Sequence, residues 1–231
     1  MLGYFKYFDF LIETTNAGFG SQIQSLELVL PLAISFFTFQ QIAYLVDSFK
    51  GAVPRSYFLN YFVFVTFFPQ LIAGPIVHHK EMMLQFLRKT LGVLRWKNLL
   101  AGLIIFSLGL FKKIVIADQF AIYVDQGYAD HTNLTVMDAW VTTFSYTFQL
   151  YFDFSGYSDM AIGAARMFGI KLPLNFFFPY KSQSIQDFWR PWHMTLSRFL
   201  REFVYIPLGG NRRSEIRTNT NLIATFVLGG I

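Results

Sequence analysis

The chain has 231 residues, 54% of them hydrophobic and 14% charged, where an ordinary soluble domain carries roughly a quarter charged residues, so lipid is indicated as the solvent. Twenty-nine Phe supply more apolar surface than one soluble core of this length buries, and much of it is expected to face acyl chains. Cysteine is absent, which excludes disulfides and thiolate chemistry, and the net charge of +5 takes its meaning from the side of a bilayer its carriers occupy.

The opening stretch MLGYFKYFDFLIE places Asp9 and Glu13 where a signal peptide needs an apolar core and a cleavage site, so it reads as the tail of a helix. Four apolar segments are then long enough to cross a bilayer: Leu28 to Val46, Tyr57 to Ala73, Leu99 to Ala117 and Thr135 to Phe154. Pro31 falls in the first turn of the first, and Pro69 should kink or end the second before Gly74-Pro75. A fifth run begins near Asn221 and stops after about 12 residues, too few for a hydrocarbon layer of roughly 30 Å. The chain therefore reads as an internal fragment, truncated at both ends, of one integral membrane domain covering 1–231. The expected fold class is all-α, a polytopic transmembrane helical bundle with short re-entrant or interfacial cytoplasmic helices. These come from residues 155–219, a stretch that mixes small residues (Gly156, Ala161, Gly163, Ala164, Ala165), aromatics and charges.

Loop charges set the orientation. Residues 75–97 carry Lys80, Arg88, Lys89, Arg95 and Lys97, and residues 155–219 carry nine Lys or Arg, whereas 118–134 hold Asp118, Asp125 and Asp130 and no Lys or Arg. The positive-inside rule makes the first two cytoplasmic and the third external. The short loop with Lys50 and Arg55 is then external, against the rule.

Three clusters could carry chemistry. In QDFWRPWHMTLSRFLREFVYIPLGGNRR, a helix over 189–203 would align Trp189, Trp192, Leu196, Phe199 and Phe203 as one apolar stripe, with Arg190, His193, Ser197 and Arg201 on an adjacent face. Guanidinium groups one turn to either side would keep His193 neutral near pH 7, and a neutral imidazole can take a proton from a hydroxyl. An amphipathic helix lying at the cytoplasmic interface accounts for the same spacing, and Pro191 must open or kink the helix near Arg190. In FQLYFDFSGYSDMAIGAA, Asp153 and Asp159 flank Ser155, Tyr157 and Ser158. Ionisable groups at membrane depth mark a polar pathway or a paired site, although pairing with an arginine of 190–201 or a place in the headgroup layer also fits. In GPIVHHKEMM, adjacent His78 and His79 do not share a helix face, so they read as an end-of-helix cluster with Lys80 near headgroups rather than as metal ligands. His131, in the acidic loop, reads as solvated. No phosphate-binding, dinucleotide-binding or nucleophile-elbow pattern is present.

Taken together, LPLAISFFTFQQIAYLVD (30–47, loosely), FFPQLIAGPIVHHKEM (67–82), YFDFSGYSDMAIGAARMFGIKLPLNFFFPY (151–180) and FWRPWHMTLSRFLREFVYIPLGGNR (188–212) resemble the membrane-bound O-acyltransferase family, in the branch containing the alginate O-acetyltransferase membrane subunit. The resemblance implies a multi-pass enzyme of the cell (inner) membrane that moves an acyl group from a cytoplasmic thioester to hydroxyls of an exported polysaccharide such as alginate. The donor would be acetyl-CoA or an acyl-carrier-protein thioester, with no bound cofactor, metal or nucleic acid, and with a polysaccharide or periplasmic acetyltransferase as partner. D-alanyl transfer to teichoic acid and peptidoglycan O-acetylation are the alternatives within the family; a transporter or polysaccharide exporter, or a non-catalytic scaffold, are those outside it. His193 matches a family His in the W-H word that supports the site. The principal catalytic His is expected just beyond Ile231, which would leave this stretch inactive on its own. Asp153, Tyr157, Asp159, Arg190, Trp192, Arg198 and Arg201 are expected in the tunnel lining or behind it. Arg198, Arg201, Arg212, Arg213 and Arg217 form the cationic surface offered to an anionic donor.

Overall fold

The computed structural model describes residues 2–29, 31, 33–51, 53, 58–71, 74–88, 93–212 and 214–230, and among these the chain is helical with no strand. Arg55, Lys89 and Arg213, singled out above for their charge, lie outside the described residues.

Helix α1 spans Leu2–Phe19, in keeping with its reading as helix. The next helix, α2, runs Ile34–Phe49 and does not begin at Leu28. Asp9 explains part of the difference: its carboxylate accepts the main-chain N–H of Leu26 at 2.8 Å and of Leu28 at 3.0 Å, holding that stretch of chain against α1. Pro31 therefore precedes the helix instead of occupying its first turn. The second expected segment is broken. Among the described residues helix α3 covers Phe58–Thr66, Phe67 is extended, and Pro69 sits in a single 3-10 turn at Phe68–Gln70. Nine residues rise about 14 Å, so α3 alone does not cross a membrane; Tyr57 and Ala73, the expected bounds, lie outside the described residues. Helix α4, His79–Phe86, follows.

Helix α5, Trp96–Phe111, continues through a π-helical segment at Lys112–Ala117 into α6, Asp118–Ala129. This 34-residue rod is, among the described residues, the one helix long and apolar enough to cross a membrane. At 1.5 Å per residue it reaches roughly 51 Å, well beyond the roughly 30 Å of hydrocarbon. Asp118 and Asp125 thus stand on helix and not in a loop, and the connection shrinks to residues 130–135. Thr135 then opens α7, Val136–Met167, with a reciprocal capping box: its hydroxyl accepts the Asp138 N–H, and its own N–H is returned to the Asp138 carboxylate. The first 13 residues of the stretch expected to be irregular, 155–167, are the continuation of α7.

Glycine sets the distance between these two long helices. Gly102 faces Gly163, and seven residues on Gly109 faces Gly156: a Cβ on Gly102 would lie 2.6 Å from the Gly163 carbonyl oxygen, and one on Gly109 2.6 Å from that of Gly156. The backbones meet as in small-residue seams between membrane helices, where close approach replaces the hydrophobic drive that lipid does not supply. Gly156, Ala161, Gly163 and Ala165 are buried, in keeping with their small size.

Beyond α7 the expectation of short helices holds. A 3-10 turn at Pro179–Lys181, α8 at Ile185–Trp189, α9 at Met194–Leu200 and a second π-helical turn at Arg201–Tyr205 lead to α10, Glu215–Gly230. Two apolar clusters seat them. Phe64, Met82, Met83, Ala161 and Ile170 join α3 and α4 to the end of α7, while Ala43, Ile76 and Phe199, with Phe39 and Phe203 around them, join α2 to α9.

Candidate functional site

The expected continuous helix over 189–203 is interrupted, and the interruption makes the site. Pro191 cannot extend α8; the chain turns, and His193 takes up the left-handed conformation (φ 42°, ψ 54°) as the residue before α9. A non-glycine residue there costs on the order of 1–3 kcal/mol and persists only where its surroundings hold it. They do so through the segment 174–178: Phe177 donates its N–H to the Pro191 carbonyl at 3.0 Å, and Met194 donates to the Asn175 carbonyl at 2.9 Å. His193 is walled by three rings, Phe154 edge-on at 4.7 Å, Phe176 stacked at 6.2 Å and Phe36 at 6.3 Å between centroids. Its Nδ1 lies 2.9 Å from Oδ1 of Asn175.

Asn175 is 1% exposed and fully engaged. Its Oδ1 accepts the hydroxyl of Thr195 at 2.9 Å and, more weakly, the Thr195 N–H at 3.4 Å; its amide donates to Ser158 on α7 at 3.1 Å. Thr195 in turn accepts the Ile76 N–H at 3.0 Å, which ties the GPIV segment to the same node. Buried amides are almost always paired, so an Asn inside the apolar word LPLNFFFPY is the signal that points to this residue, and the motif analysis does not single it out.

Between α8, α9 and α10 lies a cavity of about 690 Å³. His193, Trp192, Arg190 and Arg201 all border it, together with Trp189 and Tyr205, and Phe226 and Gly229 of α10 close the far wall. Four of the eight expected site residues thus meet here, although Arg190 reaches the wall from the turn after α8 and not from a helix shared with His193. The apolar stripe divides in the same way: Trp189, Trp192 and Leu196 face the cavity, whereas Phe199 turns inward against Phe39 and Phe203.

The other four go elsewhere. Arg198 forms a two-pronged pair with Glu81 of α4, at 2.7 and 3.3 Å. Asp153 and Asp159 meet lysines rather than arginines or headgroups. Lys113 reaches Asp153 at 2.6 Å and Asp118 at 2.7 Å, and Lys112 reaches Asp159 at 2.5 Å. These neighbouring lysines of the π-helical segment thus each reach an aspartate of α7, three residues to either side of Gly156. Tyr157 lies outside the cavity, its ring centroid 5.7 Å from the Lys113 ammonium. Two lysines in the apolar run Leu99 to Ala117 are themselves ionisable groups at membrane depth; weighing the aspartates alone leaves out their partners. Of the expected cationic surface, Arg201, Arg212 and Arg217 are exposed, while Arg198 is committed to Glu81.

The histidine pair also differs from expectation. Lys80 is exposed, but His79 is 2% exposed and boxed between Tyr44 and Phe64 at 4.8 and 5.1 Å, and His78 stacks on Phe203 at 5.7 Å with Glu202 3.7 Å away. His131 is exposed, with its Nδ1 3.2 Å from the Tyr128 carbonyl.

His193 lies outside the long apolar helices, and burial pushes its imidazole down to about 4. Neutrality near pH 7 therefore holds as expected but for a different reason: Arg190 is paired with Asp187 at 3.1 Å, and desolvation replaces the effect expected of guanidinium groups. Burial likewise lowers His79, and burial with the nearby Arg198 lowers His78. Unfolded imidazoles bind protons near pH 6.5, so the unfolded chain is the more protonated between about pH 6.5 and 4, and stability falls as pH drops through that window. The His193 share is on the order of 3 kcal/mol. Thermal unfolding of the full-length protein in detergent is expected to show the decline, with His193→Gln flattening most of it; an unchanged slope in that variant would contradict the assignment.

The chain compares closely with known proteins. The sequence model of MBOAT, the membrane-bound O-acyltransferase family, matches residues 52–231. A peptidoglycan O-acetyltransferase of Helicobacter pylori is 52% identical, the match covering 100% of this chain and 48% of that protein. A Pseudomonas aeruginosa protein named "probable alginate O-acetylase AlgI" is 44% identical over 100% of this chain and 45% of its own length. A teichoic acid D-alanyltransferase of Bacillus subtilis is 29% identical over 78% and 46% respectively. The chain spans about half the length of the curated relatives it matches.

Proposed function

The chain belongs to the membrane-bound O-acyltransferase family, and from that premise we propose that the protein carrying it transfers an acetyl group from a thioester to hydroxyls of a polysaccharide. The observation that supports this most directly is a neutral imidazole, His193, set by a strained backbone into the wall of a largely apolar cavity large enough for an acyl chain and part of its carrier. Such a group can take up the proton of an attacking hydroxyl, working beside the His that the resemblance sets beyond Ile231, while the cavity holds donor and acceptor together. Trp192 and Trp189 would pack against the acyl group, and Arg190 and Arg201 at the wall would meet the anionic part of the carrier.

In this reading the protein is a multi-pass component of the cell membrane. Arg88, Arg95 and Lys97 at the start of the long rod and the basic stretch up to Arg217 lie on the cytoplasmic side, and the Lys- and Arg-free connection 130–135 lies outside. A phosphate-bearing donor such as acetyl-CoA, or a carrier-protein thioester, cannot pass hydrocarbon, so only the acyl group travels. Asp153, Asp159 and Tyr157 then have a scaffolding part, since their partners are on the α5–α6 rod and not in the cavity. As acceptor, a cell-wall glycan is supported by the 52% identity to a protein named for peptidoglycan; alginate, at 44%, is the second reading, and a periplasmic partner would carry the acetyl group onward in either.

The test is acetyl transfer by purified full-length protein in proteoliposomes, with a radiolabelled acetyl thioester supplied on one face. His193→Gln is expected to lower turnover by about 10²- to 10⁴-fold, the usual share of a positioned acid–base group. Wild-type turnover in that variant would remove His193 from the reaction.

A further inference from the structure

A histidine that serves as a proton acceptor is useful only if the correct nitrogen carries the lone pair, and here the neighbouring side chain decides which. Oδ1 of Asn175 accepts the main-chain N–H of Thr195 at 3.4 Å, a group that can only donate, and this contact sets that end of the amide as oxygen; Nδ2 then donates to Ser158 Oγ, which can take either role. An amide oxygen only accepts. The atom 2.9 Å from it, Nδ1 of His193, must therefore be the protonated nitrogen. The Thr195 hydroxyl cannot compete for the opposite assignment, because it already accepts from the Ile76 N–H and gives its own proton to the same oxygen.

We propose that Asn175 is a positioning residue that locks His193 as the Nδ1–H tautomer and leaves the Nε2 lone pair to face the cavity. The proposal rests on the reading of His193 as the proton acceptor. Nε2 has no protein partner among the described residues. Asn175 acts twice, since its main-chain carbonyl also anchors Met194 and so maintains the left-handed turn that aims the ring. An uncharged partner suits a proton acceptor, because a carboxylate in that place would favour imidazolium and weaken the base at low pH. The charged and titratable groups around the ring leave this control to Asn175. Arg190 is held by Asp187, Arg201 and Tyr205 stand at the cavity wall, and Asp153 of α7 is turned to Lys113.

Nitrogen NMR of the full-length protein labelled in histidine, compared with a His193→Gln sample to assign the signal, should show a protonated Nδ1 and an unprotonated Nε2 at pH 7. The reverse pattern would overturn the proposal. In the transfer assay, Asn175→Asp keeps the acceptor beside Nδ1, and the Ser158 hydroxyl can rotate to donate to the other oxygen. Its acid limb should move upward by about one pH unit or more, with KM little changed. Asn175→Ala should lower kcat on the order of tenfold to a hundredfold, the scale set by partners that orient a functional imidazole. An acid limb in Asn175→Asp that coincides with wild type sinks the idea whatever Asn175→Ala does to folding. Full turnover in His193→Gln alongside the expected NMR pattern would instead defeat the functional reading and leave the tautomer assignment standing.

Discussion

Gly163→Val is expected to prevent the full-length protein from being recovered as a folded, monodisperse species in detergent. A Cβ at this position would stand 2.5 Å from the Phe106 nitrogen and 2.7 Å from the Gly102 carbonyl oxygen, and both are main-chain atoms that cannot swing aside. Relief requires α5 and α7 to separate along their whole seam, which also pulls apart Gly109 and Gly156 one heptad away. Overpacking of side chains alone costs about 1–3 kcal/mol, and a backbone clash in a two-helix seam should exceed that. Gly18→Val is the matched control, since nothing lies within 4 Å of a Cβ there. Equal thermal stability of the Gly163 and Gly18 variants would show that the two long helices do not touch as described.

Lys113→Met should be nearly as damaging, and the damage should be reversible by a second change. The ammonium is shared between Asp153 and Asp118, so its loss leaves two carboxylates near an apolar helix with no cation. Removing one partner of a buried pair costs about 3–5 kcal/mol. The side chains here keep 27%, 39% and 45% of their surface open, so a smaller loss, about 2–3 kcal/mol, is the expectation once screening is allowed for. Lys113→Met with Asp153→Asn should recover part of the loss, because an amide in place of the carboxylate has far less to lose from an apolar setting. A double-mutant cycle on thermal unfolding in detergent measures the coupling, expected at about 1–3 kcal/mol. Simple additivity would mean that the pair contributes nothing to holding α7 on α5.

Composition and the length of the apolar runs alone determined that this chain is helical and lipid-related, because a charge deficit and long apolar runs are properties of the residues themselves. Local chemistry likewise marked a break near Pro69, since a missing N–H acts within about one turn, and α3 ends at Thr66 just before it. His193 was singled out through the WRPWH word, and its ring borders the cavity. What the sequence could not decide was anything that depends on a second element. Whether Asp153 faced an arginine, headgroups or Lys113 turned on where α5 came to rest. The neutrality of His193 came from burial by Phe36, Phe154 and Phe176, which lie far from it in the chain. Asn175 looks like one more polar residue in an apolar word until its amide is seen spanning Ser158, His193 and Thr195. Hydrogen bonds and ion pairs act over a few ångströms, and only the packing of distant segments brings such groups within that reach.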